Sequence, residues 1–223
     1  MSTFKQAIAV AKKEIASEFR TRYSISAVML FILTTVAMVV FSSASEKLSP
    51  NMSAGILWII MFFGSMTGLA KSFVSEEERG TGLLLKISST PAAIYFGKLM
   101  FNIILSIGLN YFAVILLFMF IDTISVDKVL HFILVIFLGS IGIAAATTII
   151  SALIAKANSK SALFPILSFP ILIPLIIIGI ESTQYTFEPA MKLEIVKNYM
   201  MMVSYCGILT VASFFLFEIV WND

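Results

Sequence analysis

Runs of about twenty or more residues without Asp, Glu, Lys or Arg recur along the chain at 24–45, 52–70, 99–121, 130–155, 161–180 and 198–217. A bilayer core of roughly 30 Å takes about 20 apolar residues at 1.5 Å rise each. A segment in hydrocarbon must also satisfy its own backbone hydrogen bonds, which leaves helices or a closed barrel. The runs are continuously apolar rather than alternating, and that pattern selects helices. The sequence therefore predicts an all-α polytopic membrane protein with six transmembrane helices. The intervening stretches 71–98 and 181–197 are too short for an independent soluble domain, since chains below about 40 residues rarely fold unaided. The expectation is a single transmembrane domain over residues 1–223.

Ahead of the first run, residues 1–23 have a different periodicity. Phe4, Ile8, Ala11, Ile15 and Phe19 recur at spacings of three and four, while Lys5, Lys12, Lys13 and Arg20 fall mostly on other faces. This predicts an amphipathic helix lying in the membrane interface, or one packed on a neighbouring loop. No short apolar core of a removable leader precedes the first full-length run, so these residues read as part of the mature protein.

Composition agrees with the pattern: 59% of residues are hydrophobic and 13% charged, too little polar surface to enclose one aqueous core. Charge adds orientation. Lys5, Lys12, Lys13, Arg20, Arg22, Lys71, Arg79, Lys86, Lys98, Lys156 and Lys160 fall on one side of the spans, against Lys47, Lys128, Lys192 and Lys197 on the other. The positive-inside rule then places both termini in the cytoplasm. A net charge of +2 gives no reason to expect a nucleic-acid partner. Cys206 is the one cysteine, so neither a disulfide framework nor a Cys-based metal site is expected. No Gly-x-x-x-x-Gly-Lys-Ser/Thr occurs, so the chain does not cradle ATP itself.

The most informative polar segment is 71–98. Ser75-Glu76-Glu77-Glu78-Arg79-Gly80-Thr81, then Leu83-Leu84-Leu85 and Pro91, predicts a helix ending near Gly80 and a second short helix that starts at Thr81 and stops before the proline. A helix that short cannot reach the bilayer centre. It suits docking to a cytoplasmic partner, although three glutamates can equally form a solvated face balancing Lys71, Arg79 and Lys86.

Phe73 through Thr81, with Leu84-Leu85, Ser88, Pro91 and Gly97-Lys98 after it, resembles the signature loop of type 2 ABC exporter permeases. Together with Glu14-Ile15, Phe19-Arg20-Thr21-Arg22-Tyr23, the Trp58 span and the proline-rich fifth span, the whole chain resembles the permease (B) subunit of the cytochrome c maturation haem exporter. Many members of that family carry Phe-Arg/Lys-x-Asp before the Gly-Thr, where this chain has Ser75 and three glutamates. The resemblance implies a membrane subunit of the bacterial inner membrane that is not catalytic alone and binds no cofactor directly. A separate ABC ATPase subunit would bind the ATP and grip the loop through Glu76, Glu77, Glu78, Arg79, Gly80, Thr81, Leu84 and Leu85. It further implies a second copy of the chain, a haem-handling membrane subunit, an external haem chaperone, and haem as the pathway substrate. A generic type 2 permease for a drug, lipid or polysaccharide is the alternative. An ion-coupled carrier would place ionisable residues at mid-membrane, and this chain has none there.

Within the spans the signals concern packing. Gly64 and Gly68 form a Gly-x-x-x-Gly, and Ser140, Ala144 and Thr148 align at helical spacing. Either stripe serves contact with a second copy or close packing within one bundle. Pro165, Pro170 and Pro174 predict a kinked or broken fifth span, lining a moving path or simply tolerated. His131, at the outer edge of the fourth span, is a candidate haem ligand or a polar boundary residue. The methionines, including Met200-Met201-Met202, read as packing. Glu218 reads as snorkelling or paired. On the outer side, Thr183, Gln184, Tyr185, Phe187 and Pro189 suggest a segment at the membrane surface, either a docking face for an external partner or a simple connector.

Overall fold

The computed structural model describes residues 2–43, 48–121, 126–155, 157, 160–188 and 194–222. Among these residues the regular structure is all helix. An N-terminal helix α1 (Thr3–Thr21) precedes six long helices: α2 (Tyr23–Ser43), α3 (Pro50–Leu69), α6 (Pro91–Phe120), α7 (Val129–Ile154), α8 (Lys160–Phe187) and α9 (Glu194–Asn222). Two short helices, α4 (Lys71–Glu78) and α5 (Gly82–Ser88), lie between α3 and α6. The six long helices are each long and apolar enough to cross a membrane, and the chain is a multi-pass membrane protein.

The bundle is built around α3 and α7. Of the span containing α3, 67% is buried, and of α7 56%, against 17% for α2 and α9, whose outer faces are left for lipid. Small side chains make the centre possible. The Trp58 indole of α3 fills the space above Gly139 of α7 and Gly179 of α8, where any Cβ would collide with the ring. Its Nε1 donates to Thr183 Oγ1 at 2.9 Å. A Cβ at Gly142 would lie 2.6 Å from Leu175. Both small-residue stripes face helices of the same chain. Gly68 lies against Val28 of α2, Gly64 in ordinary contact with Ile32, and Ser140 and Thr148 hydrogen-bond to α6.

Three details depart from the sequence reading. The helix of the fifth span, expected to be kinked or broken, is not broken at Pro165, Pro170 or Pro174, and Tyr205 of α9 donates to the Ile171 carbonyl at 2.7 Å in the same stretch. Neighbouring helices supply such hydrogen bonds in membranes, so proline need not end a span. The same helix continues to Phe187 and α9 begins at Glu194, leaving a connector much shorter than 181–197. Tyr185 and Phe187, expected at the membrane surface, are buried, and the Tyr185 hydroxyl donates to Glu181 at 2.6 Å and Glu194 at 2.8 Å. Lys47, Lys156, Pro189 and Lys192, with residues 46 and 122–125, lie outside the described residues.

The N-terminal helix is docked lengthwise on the start of α6. Ala7, Val10, Ala11 and Glu14 face inward, and Gln6 accepts hydrogen bonds from the Thr90 backbone and hydroxyl. A Cβ on Gly97 would come within 2.6 Å of Val10 Cβ and 2.7 Å of the Ala7 carbonyl, so the close approach requires glycine. The expected apolar stripe is divided. Ala11 packs inward, Ile8 and Ile15 are half-buried, and Phe4 and Phe19 are exposed.

Candidate functional site

The segment between α3 and α6 is an ordered arm. Ala70, itself in helical conformation, links α3 to α4. The Ser151 hydroxyl of α7 accepts from the Phe73 N–H and donates to the Ala70 carbonyl, each at 2.9 Å, which stitches the joint to the bundle. At the far end of α4 the Thr81 N–H bonds the Glu76 carbonyl at 3.0 Å and the Gly80 N–H bonds the Glu77 carbonyl at 3.1 Å. This is a Schellman C-cap. It puts Gly80 at φ +66°, in the left-handed region where a Cβ is penalised. The Gly-Thr of the sequence motif is therefore the turn that reverses the chain from α4 into α5. The next start is set by Thr90, whose hydroxyl accepts from the Ala93 N–H at 3.3 Å with Pro91 in the first turn of α6.

α5 has one side anchored and one side bare. Leu85 is buried, while Leu83, Leu84 and Ile87 are 72%, 68% and 84% exposed. Three large apolar side chains on one short exposed helix form a surface suited to a protein partner rather than to water. Beneath it, Phe73, Phe217 and Trp221 form a ring cluster with centroids 5.2 to 5.8 Å apart, joined by Tyr95. The Lys86 ammonium lies 5.3 Å over the Trp221 ring. The arm is thus seated on α9 as well as on α6 and α7.

The three glutamates divide by face. Glu77 and Glu78 are exposed, with Arg79, which reaches Ser17 of α1 at 3.4 Å. Glu76 turns inward, takes a hydrogen bond from the Thr81 hydroxyl and pairs with Lys13 and Lys98. Lys98 has no exposed surface. Its ammonium donates to the Ser72 carbonyl at 2.6 Å, to Glu14 at 2.9 Å and to Glu76 at 3.4 Å. Lys13 also bonds Glu14 at 3.3 Å. Burial alone would lower the Lys13 ammonium. The hydrogen bond to Glu76 and the charges of Glu14 and Glu76 outweigh it and hold Lys13 above its usual range. Beside this cluster a polar cleft of about 250 Å³ enters between α1, α4 and α6, lined in part by Glu18, Arg79, Ser72 and Asn102.

Below the cleft a polar ladder continues into the span. Asn102, Ser106 and Asn110 are all buried on α6, four residues apart and so on one face. Asn102 donates to Thr148 at 2.8 Å, Ser106 to the Ser140 carbonyl at 3.0 Å, and Asn110 to Ser140 Oγ at 3.0 Å. The sequence reading missed this ladder and the buried role of Lys98. The regular spacing of Asn102, Ser106 and Asn110 was the available signal. On the other end of the bundle, His131 Nδ1 is 2.9 Å from the Tyr199 hydroxyl and the rings stack, so that nitrogen is engaged in an internal contact. Among the described residues no group of three or more His, Cys, Asp or Glu could hold a metal ion.

No curated protein is similar enough to this sequence to match. The model of one family, described as CcmB protein, matches residues 5–218 and so takes in the spans, the arm and nearly all of α1. With six apolar spans and no nucleotide-binding motif, the chain belongs to the CcmB family, the membrane permease component of the haem-export ABC system of cytochrome c biogenesis.

Proposed function

We propose that this subunit converts ATP binding and hydrolysis in a separate ABC ATPase subunit into movement of its spans, with α5 as the coupling helix. The observation that carries this reading is the bare apolar face of Leu83, Leu84 and Ile87 on a short helix whose root is fixed by the Gly80 turn and the buried Glu76. A membrane subunit that carries no nucleotide motif needs a lever reached from outside the bilayer. The arm is such a lever, with rigid joints to α3, α6, α7 and α9. Glu77 and Glu78 flank the apolar face and are suited to basic groups on the ATPase subunit, since complementary charges set register and specificity. Closure of the ATPase subunits would carry the coupling helices with them and rearrange the spans.

In this reading the arm and both termini are cytoplasmic and the protein sits in the bacterial inner membrane, in agreement with the Lys and Arg distribution. Two copies work with two ATPase subunits, beside a haem-handling membrane subunit and an external haem chaperone. The work done is haem export or release of the haem-loaded chaperone.

The test is recovery of the ATPase subunit with the purified membrane subunit. Glu77→Lys with Glu78→Lys, and separately Gly80→Val, should accumulate in the membrane but lose the ATPase subunit or its substrate-coupled turnover. Normal recovery and turnover in both would remove α5 as the coupling helix. Orientation has its own test in a Cys206→Ala background. Single cysteines at the exposed positions Ser49 and Glu194 should react with an impermeant reagent in intact cells and one at Ser88 should not; the opposite pattern would invert the topology.

A further inference from the structure

A lysine at the edge of a span ordinarily extends its ammonium to water along an apolar stem. Lys98 does the reverse. It is wholly enclosed, and its three N–H donors are directed to the Ser72 carbonyl and Glu76 of α4 and to Glu14 of α1. The neighbouring Gly97 brings α1 into backbone contact with α6 at the same level. Glu76, in turn, holds the Thr81 hydroxyl at the root of α5. One buried ammonium on α6 therefore meets the N-terminal helix and the arm at a single point, and the same carboxylate that it contacts caps the turn into α5.

An apolar contact at this point would let the helices slide past one another, because apolar packing is non-directional. Charge-assisted hydrogen bonds are directional, and those from Lys98 to the Ser72 carbonyl and to Glu14 are short, at 2.6 and 2.9 Å. From this we propose that Lys98 is the positioning residue that locks α1, the α4–α5 arm and the start of α6 into one moving unit, so that α1 and the start of the third span travel with the arm. The proposal rests on the ATP-driven reading above and extends it to α1, which the apolar docking face of α5 does not include.

The experiment uses the complex reconstituted with its ATPase subunit, in a Cys206→Ala background. Spin labels at the exposed positions Phe4 and Ser88, the latter outside the apolar face of α5, report α1 against α5, and labels at Met119 and Ile208 report α6 against α9. In the otherwise wild-type complex, trapping with ATP and vanadate should leave the first distance unchanged and shift the second. The variant K98M/E14Q removes one positive and one negative charge and keeps the Lys13–Glu76 pair. It should retain the ATPase subunit, yet the ATP-dependent shift between Met119 and Ile208 should fall at least about fivefold, the low end of coupling between linked sites. The distance between Phe4 and Ser88 should become ATP-dependent. Lys98→Arg, which keeps the charge, should restore part of the response, and Glu14→Gln alone should reduce it if the double variant does not accumulate. A full Met119–Ile208 shift in K98M/E14Q, or in Glu14→Gln where the double variant is lost, overturns the proposal. A Phe4–Ser88 distance that changes on trapping, or a Met119–Ile208 distance that does not, in the otherwise wild-type complex also overturns it. Absence of the ATPase subunit from the otherwise wild-type preparation counts instead against the ATP-driven reading.

Discussion

The molecule is held together in two different ways at two of its junctions. Around Trp58, three spans meet through glycine, one large indole and a single hydrogen bond to Thr183. Around Lys98, α1, α4 and α6 meet through two carboxylates and two ammonium groups, one of them fully enclosed. The first junction is close packing, which is the main source of helix association in a bilayer. The second is electrostatic and lies where the arm joins the spans. A buried ion pair is weak evidence for stability, because desolvation offsets much of the attraction. Its presence there points to fixed geometry rather than to added stability.

That contrast can be broken by mutation. Trp58→Ala should have the largest effect, about 3–5 kcal/mol, because it opens a cavity that Gly139 and Gly179 cannot fill. It should appear as a large loss of thermal stability in detergent that no charge change restores. Lys98→Met should cost somewhat less, about 3 kcal/mol, as it leaves two buried carboxylates to the half-exposed Lys13 ammonium alone, and adding Glu14→Gln should recover much of the loss. Recovery of Trp58→Ala, or none for Lys98→Met, would mean the two junctions are not different in kind. Gly80→Ala should cost about 1–2 kcal/mol through the left-handed backbone, read by the same melting assay.

The smallest effect is expected at Lys13. Its side chain is 49% exposed, so solvent screens its pairs and Lys13→Met should change stability by less than about 1 kcal/mol. The sign of its pH dependence is fixed. The folded-state pKa is raised above the ordinary 10.5, so its contribution is fully present below that pH and is lost as pH rises through the higher folded value. Comparing melts near neutrality and in alkali, wild type should lose slightly more stability than Lys13→Met. An equal or smaller loss in wild type would remove Lys13 from the cluster.

The spans were legible because hydrocarbon imposes a length and a polarity that any helix crossing it must meet. The arm was legible for local reasons: Gly80-Thr81 and Thr90-Pro91 are turn and start signals read within a few residues. What the sequence concealed was long-range. Glu14 lies 84 residues from Lys98 and Glu76 lies 22, so nothing adjacent to Lys98 distinguishes an enclosed ammonium from one that extends to water. Likewise, Tyr185 and Phe187 carry the composition of an interface, but their burial depends on α8 continuing past Glu181 and on Glu194 returning from α9. The prolines of α8 illustrate the same limit, since a local rule predicted a kinked or broken helix and α8 runs without a break, with a hydrogen bond from α9 at Ile171.

Whether α5 presents its bare face to an ATP-hydrolysing subunit is read in native membranes from a single cysteine at Leu84, carrying a photoactivatable cross-linker in a Cys206→Ala background. One dominant cross-linked product containing a Walker-motif ATPase subunit, changed in yield by ATP, is expected, and no such product from a cysteine at the lipid-facing Met119. Cross-linking of Leu84 only to lipid, or to the same products as Met119, would show that α5 does not face such a subunit.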